Sequence, residues 1–294
     1  MQTVNERARS VALAGMVASG LLAIAKIWIG IQANSTSAVA DGMESAADVI
    51  ASGIVVLGLL VAARPADEDH PYGHGRYEIL AGLGVGILLL IAGFAISSRS
   101  IWRIGKDPIP PSLFAIWPVL ASLCVKVVLS VLKMRQGRKL DSSALVADAK
   151  NDAVDVISST IALIAIGLTL HDPVGMIEAD HIGGAIVGVI VGVLGLSVIR
   201  DTAGLLVDTM PEPERLAQIR SVAMTVDGAR NVEKCYARKT GFQYHVDLHL
   251  EVDPLLTVRA SHAIAQRVKY ALKETLPWVA DVLVHVEPYE IRPK

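Results

Sequence analysis

Residues 37–49 read SAVADGMESAADV, and this stretch decides the architecture. It opens an apolar run, residues 37–62, in which Glu44 and Asp48 stand four apart. A second apolar run, residues 144–170, carries Asn151 and Asp155 at the same spacing. Side chains at i and i+4 leave one face of a helix, so each run offers two oxygen ligands at membrane depth. A carboxylate in the hydrocarbon core is costly and by default marks an ion or proton pathway. Two such pairs on two helices make a four-coordinate cation site. The competing reading treats these acids as structural partners of Lys26 and Lys126, both inside apolar runs. Lys26 lies near the end of its run, where a lysine can snorkel to the interface. Two pairs at identical spacing favour the ion site.

Composition points the same way. The chain has 294 residues, 52% hydrophobic and only 19% charged, with a mean hydropathy of +0.49; soluble domains carry about 25% charged residues. A membrane span needs roughly 20 mostly apolar residues. Six stretches qualify: residues 11–31, 37–62, 79–101, 113–132, 144–170 and 177–199. Beyond residue 210 the hydropathy collapses. The expected organisation is a six-helix transmembrane domain over residues 1–207 and a soluble C-terminal domain over residues 208–294. Arg7 and Arg9 ahead of the first run mimic a signal peptide, but that run is too long for an h-region and reads as the first span. Net charge of −2 with scattered basic residues carries no nucleic-acid signature. Cys124 and Cys235 are too few for a disulfide framework or a paired-cysteine metal motif. No nucleophile–base constellation or phosphate loop supports an enzyme.

Lysines and arginines near span ends set orientation. With the N-terminus inside, inner segments hold nine: Arg7, Arg9, Arg64, Arg76, Lys133, Arg135, Arg138, Lys139 and Arg200. The outer loops hold three, Arg99, Arg103 and Lys106, so both termini are expected in the cytoplasm of a multi-pass inner-membrane protein. In the sixth span Gly184, Gly188 and Gly192 repeat at four-residue spacing, which reads as close helix packing.

The C-terminal region reads helix, strand, strand, helix, strand. Residues 213–225 suit a helix, and residues 231–238 and 243–253 suit strands separated by Gly241. The second strand alternates, with Tyr244, Val246, Leu248, Leu250 and Val252 on one face and His245, Asp247, His249 and Glu251 on the other. Residues 257–275 form an amphipathic helix with Ile264, Val268 and Leu272 as its stripe. Residues 281–287 alternate again, placing His285 and Glu287 together. This order suits a small α+β sheet covered on one face by helices.

Two further groups have metal-ligand chemistry. Residues 65–75, PADEDHPYGHG, hold Asp67, His70 and His74, and imidazole with carboxylate suits zinc and similar ions. A solvated acidic loop is the plainer reading of that segment alone. His249, His285 and Glu287 lie on strand faces, with His262 at the start of the intervening helix.

Residues 37–49, residues 147–159 (ADAKNDAVDVISS), residues 70–76 (HPYGHGR) and residues 246–254 (VDLHLEVDP) resemble, in order, motifs of the cation diffusion facilitator (cation efflux) family. The resemblance implies a homodimeric exporter of divalent cations in exchange for protons, with a metallochaperone-like cytoplasmic domain that dimerises and binds metal. It puts Glu44, Asp48, Asn151 and Asp155 on the transport site, and Asp67, His70 and His74 on a loop site. His249, His262, His285 and Glu287 fall on cytoplasmic sites, with Glu233 a weaker match. Arg76 and Asp208 fall on a charge pair tying span three to the end of span six. Metal is implied as substrate and ligand, with no prosthetic group. Zinc-type relatives carry His or Asp where this chain has Glu44 and Asn151, so the site is all oxygen, with Asp152 the alternative to Asn151. Oxygen ligands suit harder ions, which moves Mn²⁺ and Fe²⁺ upward and leaves Zn²⁺ possible. A membrane scaffold or sensor that binds metal without transporting it is the alternative function.

Overall fold

The computed structural model describes residues 2–106, 109–139, 143–241 and 243–290, with side chains over 16–106, 109–135, 152–241 and 243–290. Six long helices come first: α1 (Gln2–Gln32), α2 (Thr36–Ala62), α3 (Arg76–Arg103), α4 (Ile116–Lys139), α5 (Ser143–His171) and α6 (Ala179–Leu206). Five of them are long and apolar enough to cross a membrane, and the described part of α1, Met16–Gln32, is a shorter apolar segment of a 31-residue helix. The chain is an integral membrane protein. Many exposed side chains of these helices are large and apolar, as in the α1 stripe Leu21, Ile24, Trp28 and Ile31, which suits contact with lipid rather than water. By packing, the chain divides into two compact units, residues 1–54 with 84–199, and residues 55–83 with 200–294.

The first unit is built on close backbone approaches and buried polar pairs. A Cβ on Gly42 of α2 would lie 2.9 Å from the Ile27 nitrogen and 3.0 Å from Lys26 Cβ, so glycine lets α1 and α2 touch there. That contact overturns the expectation that Lys26 snorkels. Lys26 is fully buried, pairs with Asp41 at 2.9 Å and donates to Ser45 Oγ at 2.7 Å. The reason is that α2 covers Lys26 before its ammonium can reach the interface. On α6 the glycine seam runs at seven-residue spacing: Gly188 and Gly195 face α3, where they meet Gly93 and Gly86 respectively. Gly192 has open space where its own Cβ would go, so only part of the four-residue series packs as expected.

The N-terminus of α2 is capped by another helix. Ser35 precedes the helix and its Oγ accepts from the Ala38 amide at 3.2 Å. The amides of Thr36 and Ser37 donate instead to the carboxylate of Asp180 on α6, at 2.5 and 3.3 Å. Ser35 Oγ at 2.8 Å and Ser37 Oγ donate to the same carboxylate, and Asp180 is 1% exposed. A helix start leaves four amides without intrahelical acceptors, and a negative group there is favoured.

The second unit contains α7 (Pro213–Ala223), β1 (Asn231–Thr240), β2 (Gln243–Val252), α8 (Val258–Thr275) and β3 (Val279–Pro288). The strand order is β1-β2-β3, with β1 antiparallel to β2 and β2 parallel to β3. A parallel neighbour requires a crossover, and α8 supplies it, with Thr257 as its N-cap accepting from the Ala260 amide. Val246, Leu248, Leu250 and Val252 are buried against Ile219 and Ala223 of α7 and Ile264, Val268 and Leu272 of α8. Helices on one face leave the other face of the strands for polar side chains.

Candidate metal centres

The membrane centre lies where α2 faces α5. Ser158 Oγ donates to Glu44 Oε1 at 2.8 Å and Ser159 Oγ donates to Asp41 Oδ1 at 2.7 Å, so serines of α5 orient the acids of α2. Glu44 and Asp155 are 3% and 4% exposed. Asp48 and Asp155 lie close enough to feel each other's charge, and Glu44 feels the charge of both. One buried oxygen of Glu44 and one of Asp48 have no hydrogen-bond partner. The side chain of Asn151 lies outside the described residues. Asp152, the alternative to it, is committed elsewhere: Lys126 donates to its Oδ1 at 3.0 Å and Lys133 pairs with its Oδ2 at 2.5 Å. Lys126 also donates to Asp155 Oδ2. Both pairings of the competing structural reading therefore exist in part, since Lys26 holds Asp41 and Lys126 holds Asp155.

Sequence reading passed over Asp41, although positions 41, 44 and 48 share one face of α2 by helical spacing. Lys133, counted from sequence among the inner-side charges, is instead buried on Asp152; it lies seven residues beyond Lys126 on the same face of α4. That repeat was the available signal.

The loop between α2 and α3 brings Asp67, His70 and His74 together, with one ligand atom from each within 4.8 Å of the others. The His70 amide donates to Asp67 Oδ1 at 2.7 Å, and this bond, more than any other contact, holds the Asp67 carboxyl below the usual range despite some opposing desolvation. His74 Nδ1 lies 3.1 Å from the Pro65 carbonyl oxygen. A carbonyl only accepts, so Nδ1 donates there, and Nε2 is the ring nitrogen left to face a metal. That Nε2 points to Asp67 Oδ2 at 3.4 Å. Orienting the non-ligating nitrogen through a carbonyl is how metal-binding imidazoles are commonly fixed.

The third cluster is on the sheet face not covered by helices. The parallel register sets His249 opposite His285 and Glu251 opposite Glu287. His249 Nδ1 lies 2.7 Å from Glu287 Oε1, His285 Nε2 lies 3.7 Å from the same oxygen, and the three ligand atoms fall within 4.8 Å of one another. His262 is not one of the three; its Nε2 sits 3.4 Å from Gln266 one turn along α8. Glu233 on β1 lies 3.8 Å from Lys234. Arg76 donates to Asp208 at 2.7 Å, with the two side chains 47% and 45% exposed. Asp208 has φ of 59° just past α6, the left-handed position that commonly ends a helix.

A model of the cation efflux transmembrane domain matches residues 12–207, and one of the cation efflux protein cytoplasmic domain matches residues 211–289. The chain belongs to the cation efflux family. It is 31% identical over 288 residues to the manganese efflux system protein MneP of Bacillus subtilis (strain 168), covering 96% of each chain. It is 28% identical to metal tolerance protein C1 of Arabidopsis thaliana, over 98% of this chain and 64% of that one. It is 29% identical to the magnetosome protein MamB of Paramagnetospirillum magneticum (strain ATCC 700264 / AMB-1), over 88% and 87% of the two chains. The C-terminal region is also similar to a solved MamM CTD in a cadmium form, at 29% identity, 26% coverage of this chain, 96% of that chain and a TM-score of 0.26. As a member of the cation efflux family the chain is a membrane metal transporter.

Proposed function

We propose that this chain exports a divalent metal ion in exchange for protons, as a homodimer in the inner membrane with both termini in the cytoplasm. The transport site is Glu44, Asp48, Asn151 and Asp155. The transport domain is residues 1–207, and residues 208–294 form the cytoplasmic domain. The carrying observation is that Glu44 and Asp48 each keep a buried oxygen without a hydrogen-bond partner, while Asp48 meets Asp155 across the α2–α5 interface. Unpartnered buried carboxylate oxygens are costly unless something else pairs with them, and a cation does so.

Charge supports a divalent cargo. Among the described residues the cluster holds five carboxylates, Asp41, Glu44, Asp48, Asp152 and Asp155, against three ammoniums, Lys26, Lys126 and Lys133. Two negative charges are left over, which one divalent ion or two protons neutralise. Oxygen ligands favour Mn²⁺ and Fe²⁺ over softer ions, and similarity to MneP, a manganese efflux system protein, agrees with manganese. Zn²⁺ stays within reach of the same carboxylates. The Asp67–His70–His74 and His249–His285–Glu287 clusters act as accessory metal sites, with His262 outside the second.

Purified protein in vesicles, supplied with Mn²⁺, Fe²⁺ and Zn²⁺ under an imposed proton gradient, tests the reading. Wild type should transport metal while dissipating the gradient. Asp48→Ala and Asp155→Ala should remain folded dimers and lose transport; wild-type flux in either one sinks the site assignment.

A further inference from the structure

Lys126 and Lys133 of α4 have no role in metal binding, yet they sit inside the acid cluster. Lys126 is 2% and Lys133 3% exposed, deep in helices whose remaining surface is apolar. Burying an ammonium costs several kcal/mol unless it is well paired, so both must be held by the acids of α5. Their partners are unequal. Among the described residues Asp152 receives both ammoniums, one on each oxygen, whereas Asp155 pairs with Lys126. Asp155 also faces Asp48 and contributes to the field at Glu44. Among the described residues no set of ligand atoms from Glu44, Asp48 and Asp155 lies within a mutual 4.8 Å, so these acids are not drawn up around one point. Among the described residues the cation paired with Asp155 is the Lys126 ammonium.

We infer that Lys126 is the resident counter-cation of the transport site, neutralising Asp155 until a divalent ion displaces it and then staying on Asp152. This deepens the export reading and rests on it. The exchange conserves pairing. Asp155 passes from an ammonium to the metal, while Lys126 keeps the 3.0 Å contact to Asp152 that it already makes. Lys133 fixes Asp152 from its other oxygen, so the acceptor stays in place. Two consequences follow from charge. A monovalent cation brings no more charge than the ammonium it would replace and starts outside a dry site, so Lys126 excludes it, whereas a divalent ion has twice the attraction for the same carboxylate. On release, Lys126 re-engages Asp155, which lowers metal affinity and speeds departure. The residue thereby sets specificity and turnover without being a metal ligand.

The test is Mn²⁺ transport by Lys126→Met, Lys126→Arg and Asp152→Asn in vesicles, with Glu44→Gln as the site control. Lys126→Met keeps length and removes charge. It should lower the half-saturating Mn²⁺ concentration about tenfold, equivalent to about 1.4 kcal/mol, while lowering the maximal rate. Na⁺ and K⁺ should become inhibitors. Lys126→Arg should retain wild-type half-saturation and resistance to Na⁺. Unchanged or raised half-saturation in a monodisperse Lys126→Met protein overturns the inference. If that variant does not assemble, Asp152→Asn decides. Losing the negative charge of the second partner should raise half-saturation, because Lys126 displaced from Asp155 then meets only a neutral amide, and an unchanged or lowered value overturns the inference. Wild-type flux in Glu44→Gln would instead overturn the transport site itself. Loss of flux there, with no effect of charge at Lys126, would remove only the counter-cation.

Discussion

Replacing Asp180 by alanine should destabilise the membrane unit through the first turn of α2. Its carboxylate accepts the Thr36 amide at 2.5 Å, the Ser37 amide at 3.3 Å and the Ser35 hydroxyl at 2.8 Å, together with the Ser37 hydroxyl. The hydroxyls can rotate towards other acceptors, but the two amides cannot. Each buried donor left unsatisfied costs about 1–3 kcal/mol, so the pair costs roughly 2–6 kcal/mol, with about 3 kcal/mol the central expectation. For chains of this size that is an apparent melting shift on the order of 5–10 °C. Asp180→Asn keeps one acceptor and turns an amide donor towards other donors, so it should fall between alanine and wild type. The assay is thermal unfolding in detergent, with the retained monodisperse peak followed by size-exclusion chromatography. Hydrogen exchange at residues 36–39 should rise in the same variants, because these amides lose their acceptors. Transport should weaken too, since α2 carries Glu44 and Asp48 two and three turns further along. An Asp180→Ala protein melting within about 1 °C of wild type, as exposed surface substitutions do, would refute the capping argument.

The Arg76–Asp208 pair is short, and its two side chains are about half exposed. A double-mutant cycle by charge reversal should yield a coupling of about 0–1 kcal/mol that shrinks with salt; a larger salt-independent coupling would contradict the exposure. Burial raises the Asp281 carboxyl, but the Lys269 hydrogen bond and the Val282 amide outweigh it and leave the group below its ordinary range. The C-terminal domain should therefore hold this contribution at neutral pH and lose it as pH falls through the lowered value, and Lys269→Ala should flatten that part of the acid-unfolding curve. Residues 208–294 have their own core, so the isolated domain should bind a divalent metal in calorimetry, with His285→Ala weakening binding and His262→Ala leaving it unchanged. Equal loss in both variants would mean that the His249–His285–Glu287 geometry is not the site.

The elements of this protein are written locally, and the sequence determined them. Run length against bilayer thickness gives the spans, and four-residue spacing puts Glu44 and Asp48 on one face. Alternation in residues 243–252 gives a strand whose Val246, Leu248, Leu250 and Val252 are buried as expected. The 65–75 loop is legible for the same reason, because Asp67, His70 and His74 are near neighbours in sequence. What tertiary structure alone decided is pairing between elements. Lys26 meets Asp41 rather than the interface because of the rotation of α1 against α2 at Gly42. Lys126 meets Asp155 across 29 positions, and Asp180 caps a helix 144 positions away. His285 joins His249 while His262 does not, because the parallel β2–β3 register aligns the first two and α8 carries the third to its own Gln266. Helical and strand periodicity fixes which face a side chain leaves by. Which neighbour waits on that face depends on helix rotation, crossing and strand register, and these are set by packing of the whole unit.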